Sequence, residues 1–180
     1  MGKTLKESSR KRCYIKRITR IKKITGEDQK VFALDVGCED GMFLELIRDY
    51  SVFLKGVDSS GTNVKKAKAR LGERAEILHR DYLEVPVELN KYDLICMWEI
   101  LGKIVNPNEY IKKAAGELRN DGFLCISVDT RLITKKSLLD ILKINGLTIV
   151  NAHYTYIYTS IRDLIRFRLY TDLFVIAQKV

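Results

Sequence analysis

Prolines are scarce in this 180-residue chain: only Pro86 and Pro107 occur, and no proline-rich or low-complexity linker interrupts it. One continuous folded region is therefore expected. Cysteines are few and far apart. Cys13, Cys38, Cys96 and Cys125 form no C-x-x-C pair and have no neighbouring histidine cluster, which excludes a zinc site and leaves reduced thiols as the expectation. No apolar run approaches the ~20 residues needed to span a bilayer. The lysine-rich start also lacks the apolar core and small-residue cleavage site of a signal peptide, so a cytoplasmic protein is expected.

What is present is an ordinary globular balance, 46% hydrophobic and 31% charged, with the charge unevenly placed. The net charge is +9, yet residues 1–30 hold most of it: eleven Lys or Arg stand against Glu7, Glu27 and Asp28. Within this arm Tyr14, Ile18, Ile21 and Ile24 recur at three- and four-residue steps among basic residues, which predicts an amphipathic helix inside residues 4–24. Gly26 suits its stop. The reading is a basic helical arm over 1–30 and a folded domain over 31–180. Such an arm is open to several readings: a lid over the site, a solvated helix bound to the sheet by Ile18 and Ile21, or a contact with RNA or an anionic surface.

From Val31 onward apolar strands alternate with helical patterns, the sequence form of a parallel sheet covered on both faces. Strands are expected at 31–36, 52–57, 75–79, 92–97, 122–128, 147–154 and 170–178. Helices are expected at 41–50, 62–71, 107–119, 135–145 and 160–167.

The strongest local signal is Asp35-Val36-Gly37-Cys38-Glu39-Asp40-Gly41, a strand that ends in an acid, turns on glycines and opens a helix. In an open α/β sheet such a turn lies at the carboxyl edge, where a nucleotide-like ligand fits. The second strand ends in Asp58, about twenty residues on, where an acid can accept hydrogen bonds from ribose hydroxyls. A dinucleotide loop would aim bare backbone N–H groups at a pyrophosphate. Here Asp35, Glu39 and Asp40 would repel it, and a cofactor with cationic groups fits better.

On these residues the chain resembles the class I S-adenosylmethionine-dependent methyltransferases, from Val31 to the C-terminus. Leu34 to Gly41 looks like the family's glycine loop and Gly56-Val57-Asp58 like its ribose-binding acid. His79-Arg80-Asp81-Tyr82 is similar to the motif whose acid meets the adenine amino group, with Tyr82 beside the ring. Leu118-Arg119-Asn120-Asp121-Gly122-Phe123-Leu124 resembles the turn into strand five. Trp98-Glu99-Ile100-Leu101-Gly102-Lys103 resembles the segment bordering the methyl-transfer site of ubiquinone-biosynthesis-like enzymes. The resemblance implies a single doubly wound, Rossmann-like α/β domain with a seven-stranded, mostly parallel sheet in the order 3-2-1-4-5-7-6, its last strand antiparallel. It implies S-adenosylmethionine as cofactor, held by Asp35, Gly37, Cys38, Gly41, Asp58, Ser59, Asp81, Tyr82 and Trp98, with no metal.

Two positions depart from the family's pattern. Glu39 replaces the loop's middle glycine, narrowing the room beside the methionine part of the cofactor. Gly102-Lys103 stands where Glu-His is common, so no imidazole is available there. Glu99 is the candidate acid/base group, with His153 and the alternating Tyr154, Tyr156 and Tyr158 as further candidates. The expected activity is methyl transfer to a small-molecule or lipid-like acceptor. RNA methylation using the basic arm is an alternative, and so is a non-catalytic interaction protein that keeps the fold.

Overall fold

A computed structural model describes residues 2–26, 28–157 and 170–180, excluding the side chains of residues 2–6, 155–157 and 170–171. The helix expected at 160–167 and Tyr158 lie outside the described residues, as does the side chain of Tyr156.

The first helix, α1 (Gly2–Thr25), buries Tyr14, Ile18 and Ile21, three of the four residues in the expected stripe; Ile24 is half-buried. It stops at Gly26, whose φ of +101° a residue with a Cβ would rarely adopt. Then follow β1 (Val31–Val36), α2 (Met42–Ile47), β2 (Ser51–Asp58), α3 (Gly61–Leu71), β3 (Glu76–His79) and β4 (Tyr92–Trp98). The second half contains α4 (Pro107–Glu117), β5 (Leu118–Asp129), α5 (Lys135–Ile144), β6 (Leu147–Ile157) and β7 (Tyr170–Lys179).

The strands form a seven-stranded sheet in the order β3-β2-β1-β4-β5-β7-β6, the order expected. β1 pairs parallel to β2 and β2 parallel to β3, whereas β7 runs antiparallel to both β5 and β6. Near-continuous burial of Val31–Val36 explains why this segment is apolar on both faces rather than alternating. Local chemistry sets the helix ends: Ser60 and Thr134 accept hydrogen bonds from Asn63 N and Ser137 N, and Pro107 opens α4.

Two expected boundaries are corrected. Helix α4 stops at Glu117 instead of continuing to 119, and the segment 118–121, read as a turn, already belongs to β5. The change from helix to extended backbone falls at Leu118, with φ −67° and ψ 140°, and Asp121 takes a left-handed φ of +63° within the strand. After α2 the expected helix tightens into a 3-10 turn at Arg48–Tyr50. No described helix is long and apolar enough to cross a membrane.

The chain divides into two compact units, Met1–Pro86 with Tyr92–Ile95, and Val87–Lys91 with Cys96–Val180.

Candidate functional site

In the first unit, β1 and β2 end side by side, with Asp35 opposite Gly56 and Val36 opposite Val57. Gly37 N and Cys38 N both donate to Val57 O, at 2.7 and 3.1 Å, and Gly41 N donates to Cys38 O at 2.9 Å. This closes the 37–41 loop into a tight turn. Gly37 and Gly41 both take φ +75°, and a Cβ on Gly41 would sit 2.8 Å from Leu71 Cδ1 and 3.2 Å from Ala67 Cα. A Cβ on Gly56 would meet Cys38 Sγ at 2.8 Å, so this glycine lets the loop lie directly on β2.

Asp58 ties the elements together. Its Oδ2 accepts from Glu39 N at 2.9 Å, its Oδ1 from Ser60 N at 2.8 Å, and Asn63 Nδ2 approaches both oxygens at 3.3 and 3.5 Å. These donors set the carboxylate's plane. Asp81 stands one strand away and caps the 3-10 turn Tyr82–Glu84 by accepting from Leu83 N at 2.8 Å. Tyr82 is buried, Ser59 is exposed, and the Ser59 carbonyl lies 3.1 Å from His79 Nε2.

Asp35 differs from Asp58. It is buried, and its Oδ1 has no hydrogen-bond partner among the described residues. Burial, then the negative charges of Glu39 and Asp58, hold its pKa well above the usual carboxylate range. Burial and the same acidic neighbourhood push the Cys38 thiol up as well, so it is an unreactive small hydrophobe.

The acidic loop is less exposed to solution than its sequence suggests. Arg10 of α1 reaches Glu39 and Asp40 at 2.5 Å each. Arg70 of α3 donates to Asp40 O at 2.9 Å and pairs with Asp40 Oδ2 at 3.2 Å and Glu45 at 2.7 Å. Partial burial disfavours the charge on both arginines, but the carboxylates outweigh it and raise their pKa values. Tyr14 sets its ring edge-on to Phe43 at 5.5 Å, and burial with Asp35 and Glu39 nearby raises its phenol. The expectation that three loop acids attract a cationic cofactor is thereby narrowed. Glu39 and Asp40 are paired within the chain, which leaves Asp35. Arg10 and Arg70 were missed because nothing local in the sequence links a helix at residue 10 to a loop at residue 39. The only signal was a basic arm in a chain with an acidic loop.

In the second unit, Trp98 ends β4 almost fully buried, its ring centroid 5.9 Å from that of Phe174. Glu99 follows in the left-handed region, φ +56°, and its N–H donates to Ser127 O at 2.8 Å. Ser127 Oγ is buried without a hydrogen-bond partner among the described residues. A Cβ on Gly102 would lie 2.7 Å from Leu132 Cβ, so an apolar side chain fills the space that a residue larger than glycine would need. His153 stands edge-on to Phe174 at 5.3 Å with Nδ1 3.1 Å from Asn151 Oδ1. Tyr154 is partly exposed beneath the Lys135 ammonium, which lies 5.5 Å from its ring centroid.

The chain is similar to known methyltransferases in sequence and in fold. The ubiquinone biosynthesis O-methyltransferase of Bartonella quintana is 29% identical over 126 residues, 67% of this chain and 47% of that protein. The chain spans about half the length of such relatives. The magnesium protoporphyrin IX methyltransferase of Synechocystis PCC 6803, solved with bound S-adenosylmethionine, superposes with a TM-score of 0.79 at 15% identity, covering 100% of this chain and 84% of that one. The N-methyltransferase NodS of Bradyrhizobium japonicum, in complex with S-adenosyl-L-homocysteine, gives 0.72 at 18%, covering 91% and 86%. At such identities the two structures speak for the fold alone. The model of a methyltransferase domain family, however, matches residues 7–166, from the helix that carries Arg10 past the loop, Asp58 and Asp81. With most of its length and each of these elements inside that match, the chain belongs to the methyltransferase domain family.

Proposed function

We propose that the chain binds S-adenosylmethionine and transfers its methyl group to a small-molecule or lipid-like acceptor. The observation that carries this reading is Asp58, held at the end of β2 beside the glycine loop and oriented by Glu39 N, Ser60 N and Asn63. The residues present fit the cofactor. Asp58 accepts from the ribose hydroxyls, Asp81 takes the adenine amino group, and Ser59 and Tyr82 border the nucleoside. Gly37, Cys38 and Gly41 bring bare backbone close to the methionine part, and Asp35 Oδ1 offers a buried acceptor to a cationic group. The resemblance adds Trp98 as a cofactor contact and Glu99 as the acid/base group. A left-handed backbone at Glu99 is the kind of strained position that functional turns hold.

S-adenosylmethionine supplies a methyl group already activated on a sulfonium, so the protein's task is chiefly positioning. The names of the sequence relatives, O-methyltransferases of ubiquinone biosynthesis, support a small apolar acceptor bearing a hydroxyl group. Titration calorimetry with S-adenosylmethionine and S-adenosylhomocysteine tests the reading. Wild type is expected to bind, and Asp58→Ala to lose ~1–3 kcal/mol, the usual cost of unmet buried polar partners. A folded protein that binds neither ligand removes the enzyme reading. Binding would justify a screen of phenolic and lipid-like hydroxyl acceptors.

A further inference from the structure

Helix α1 carries a single acid, Glu7, and that carboxylate lies 3.6 Å from Arg70. On the helix side turned away from the buried Tyr14, Ile18 and Ile21 stand Arg12, Lys16, Arg20 and Lys23, all exposed. No carboxylate interrupts them between residues 8 and 26. At 1.5 Å per residue, Arg12 to Lys23 spans ~16 Å in steps of about one turn. A rigid row of like charges at this spacing repels itself, and a polyanion relieves the repulsion by releasing its condensed counterions.

We infer that this outward stripe of α1 docks the phosphate backbone of a nucleic acid, independently of the methyl-transfer reading. An anionic bilayer is the other polyanion. A helix lying in a membrane interface sinks an apolar face into the headgroup boundary, and in α1 that face is already spent in the protein's own core. Only Ile15 is apolar and exposed on the stripe. The stripe also has no aromatic side chain on which bases could stack, so recognition is through phosphates and indifferent to sequence.

The test is fluorescence anisotropy of a labelled, mixed-sequence single-stranded RNA of about 12 nucleotides, titrated with the full chain across a salt series. Four phosphate contacts predict a log–log salt slope of about −2.8, or roughly a fiftyfold loss of affinity between about 50 and about 200 mM salt. K16Q/R20Q should flatten the slope by about 1.4 and keep the wild-type response to S-adenosylhomocysteine. K112Q/K143Q, which removes two exposed charges from α4 and α5, should leave the slope unchanged. Equal losses from both pairs, or wild type that binds no RNA, would overturn the inference. So would binding to phosphatidylglycerol vesicles that is tighter than binding to RNA. A result for or against RNA leaves cofactor binding to be judged separately by calorimetry.

Discussion

The turn after β1 and the turn after β4 both end an apolar, buried strand, yet they are built from opposite materials. The first is charged and held by polar contacts: Asp58 bonds to its backbone, and Arg10 and Arg70 grip its acids. The second is apolar at its core, where Gly102 is seated against Leu132 and Glu99 turns through a left-handed backbone. The difference shows where this chain keeps the family's pattern and where it departs. At the glycine loop a non-glycine residue, Glu39, is accommodated at φ +49° and its carboxylate is neutralised by Arg10. At Gly102 the side chain common in related proteins has no room.

The contrast can be broken most severely at Gly41. Gly41→Ala combines a φ of +75° with a Cβ 2.8 Å from Leu71. A loss of roughly 3 kcal/mol is expected from strain plus overpacking, and a fall of about 6–12 °C in thermal midpoint by calorimetry. An unchanged midpoint would show that the loop is not tightly seated on α3.

Gly102→Glu restores a residue the family often carries. It should cost ~1–3 kcal/mol by overpacking, recovered in large part by a second change, Leu132→Gly, which removes the Cβ that the new side chain would meet. If the single substitution is neutral in denaturant unfolding, Leu132 does not define the second turn.

Asp35 sharpens the electrostatic side. Its folded pKa is raised above the ordinary 3.8, so above that value the native state holds more protons than the unfolded chain, and stability falls as pH rises through the folded pKa. Asp35→Asn should remove this decline, giving a denaturant midpoint that depends less on pH above the ordinary carboxylate range. A cationic cofactor would favour ionised Asp35, so binding should release protons, visible as calorimetric heats that vary with buffer. The asparagine variant should lose that dependence. Buffer-independent heats in wild type would place the cationic group elsewhere.

The smallest effect is expected at Arg10. Its ion pairs are partly exposed, with side-chain exposures of 33% for Arg10, 47% for Glu39 and 19% for Asp40, so screening limits their worth to ~0.5–1 kcal/mol. Arg10→Ala should weaken S-adenosylhomocysteine about two- to fivefold at low salt and less at high salt. Tighter binding by the variant would mean that α1 obstructs the loop rather than bracing it.

Most of the strand–helix alternation was legible because each segment carries its own period: Val31–Val36 and Tyr92–Trp98 are buried runs, and Tyr14, Ile18 and Ile21 form one helical stripe. The Leu118–Asp121 segment was misread because Asn120-Asp121-Gly122 looks like turn chemistry. Its carbonyls are met by side chains of β7, more than fifty positions later: Lys179 Nζ donates to Leu118 O at 2.7 Å and Gln178 Nε2 to Asp121 O at 3.3 Å. Gly56 was readable as part of a motif, but its reason, the approach of Cys38 and Leu44, is a contact between segments.

By itself the sequence determined the order of elements, the left-handed glycines of the loop, and the acids at the ends of β1 and β2. These depend on backbone freedom and local periodicity, which neighbouring residues specify. Tertiary structure decided which charges are spent within the chain and which remain. Arg10 and Arg70 close on Glu39 and Asp40 while Asp35 stays buried with an oxygen to offer. Pairing of charges is a matter of distance in space, and residues thirty positions apart become neighbours only after the chain has folded.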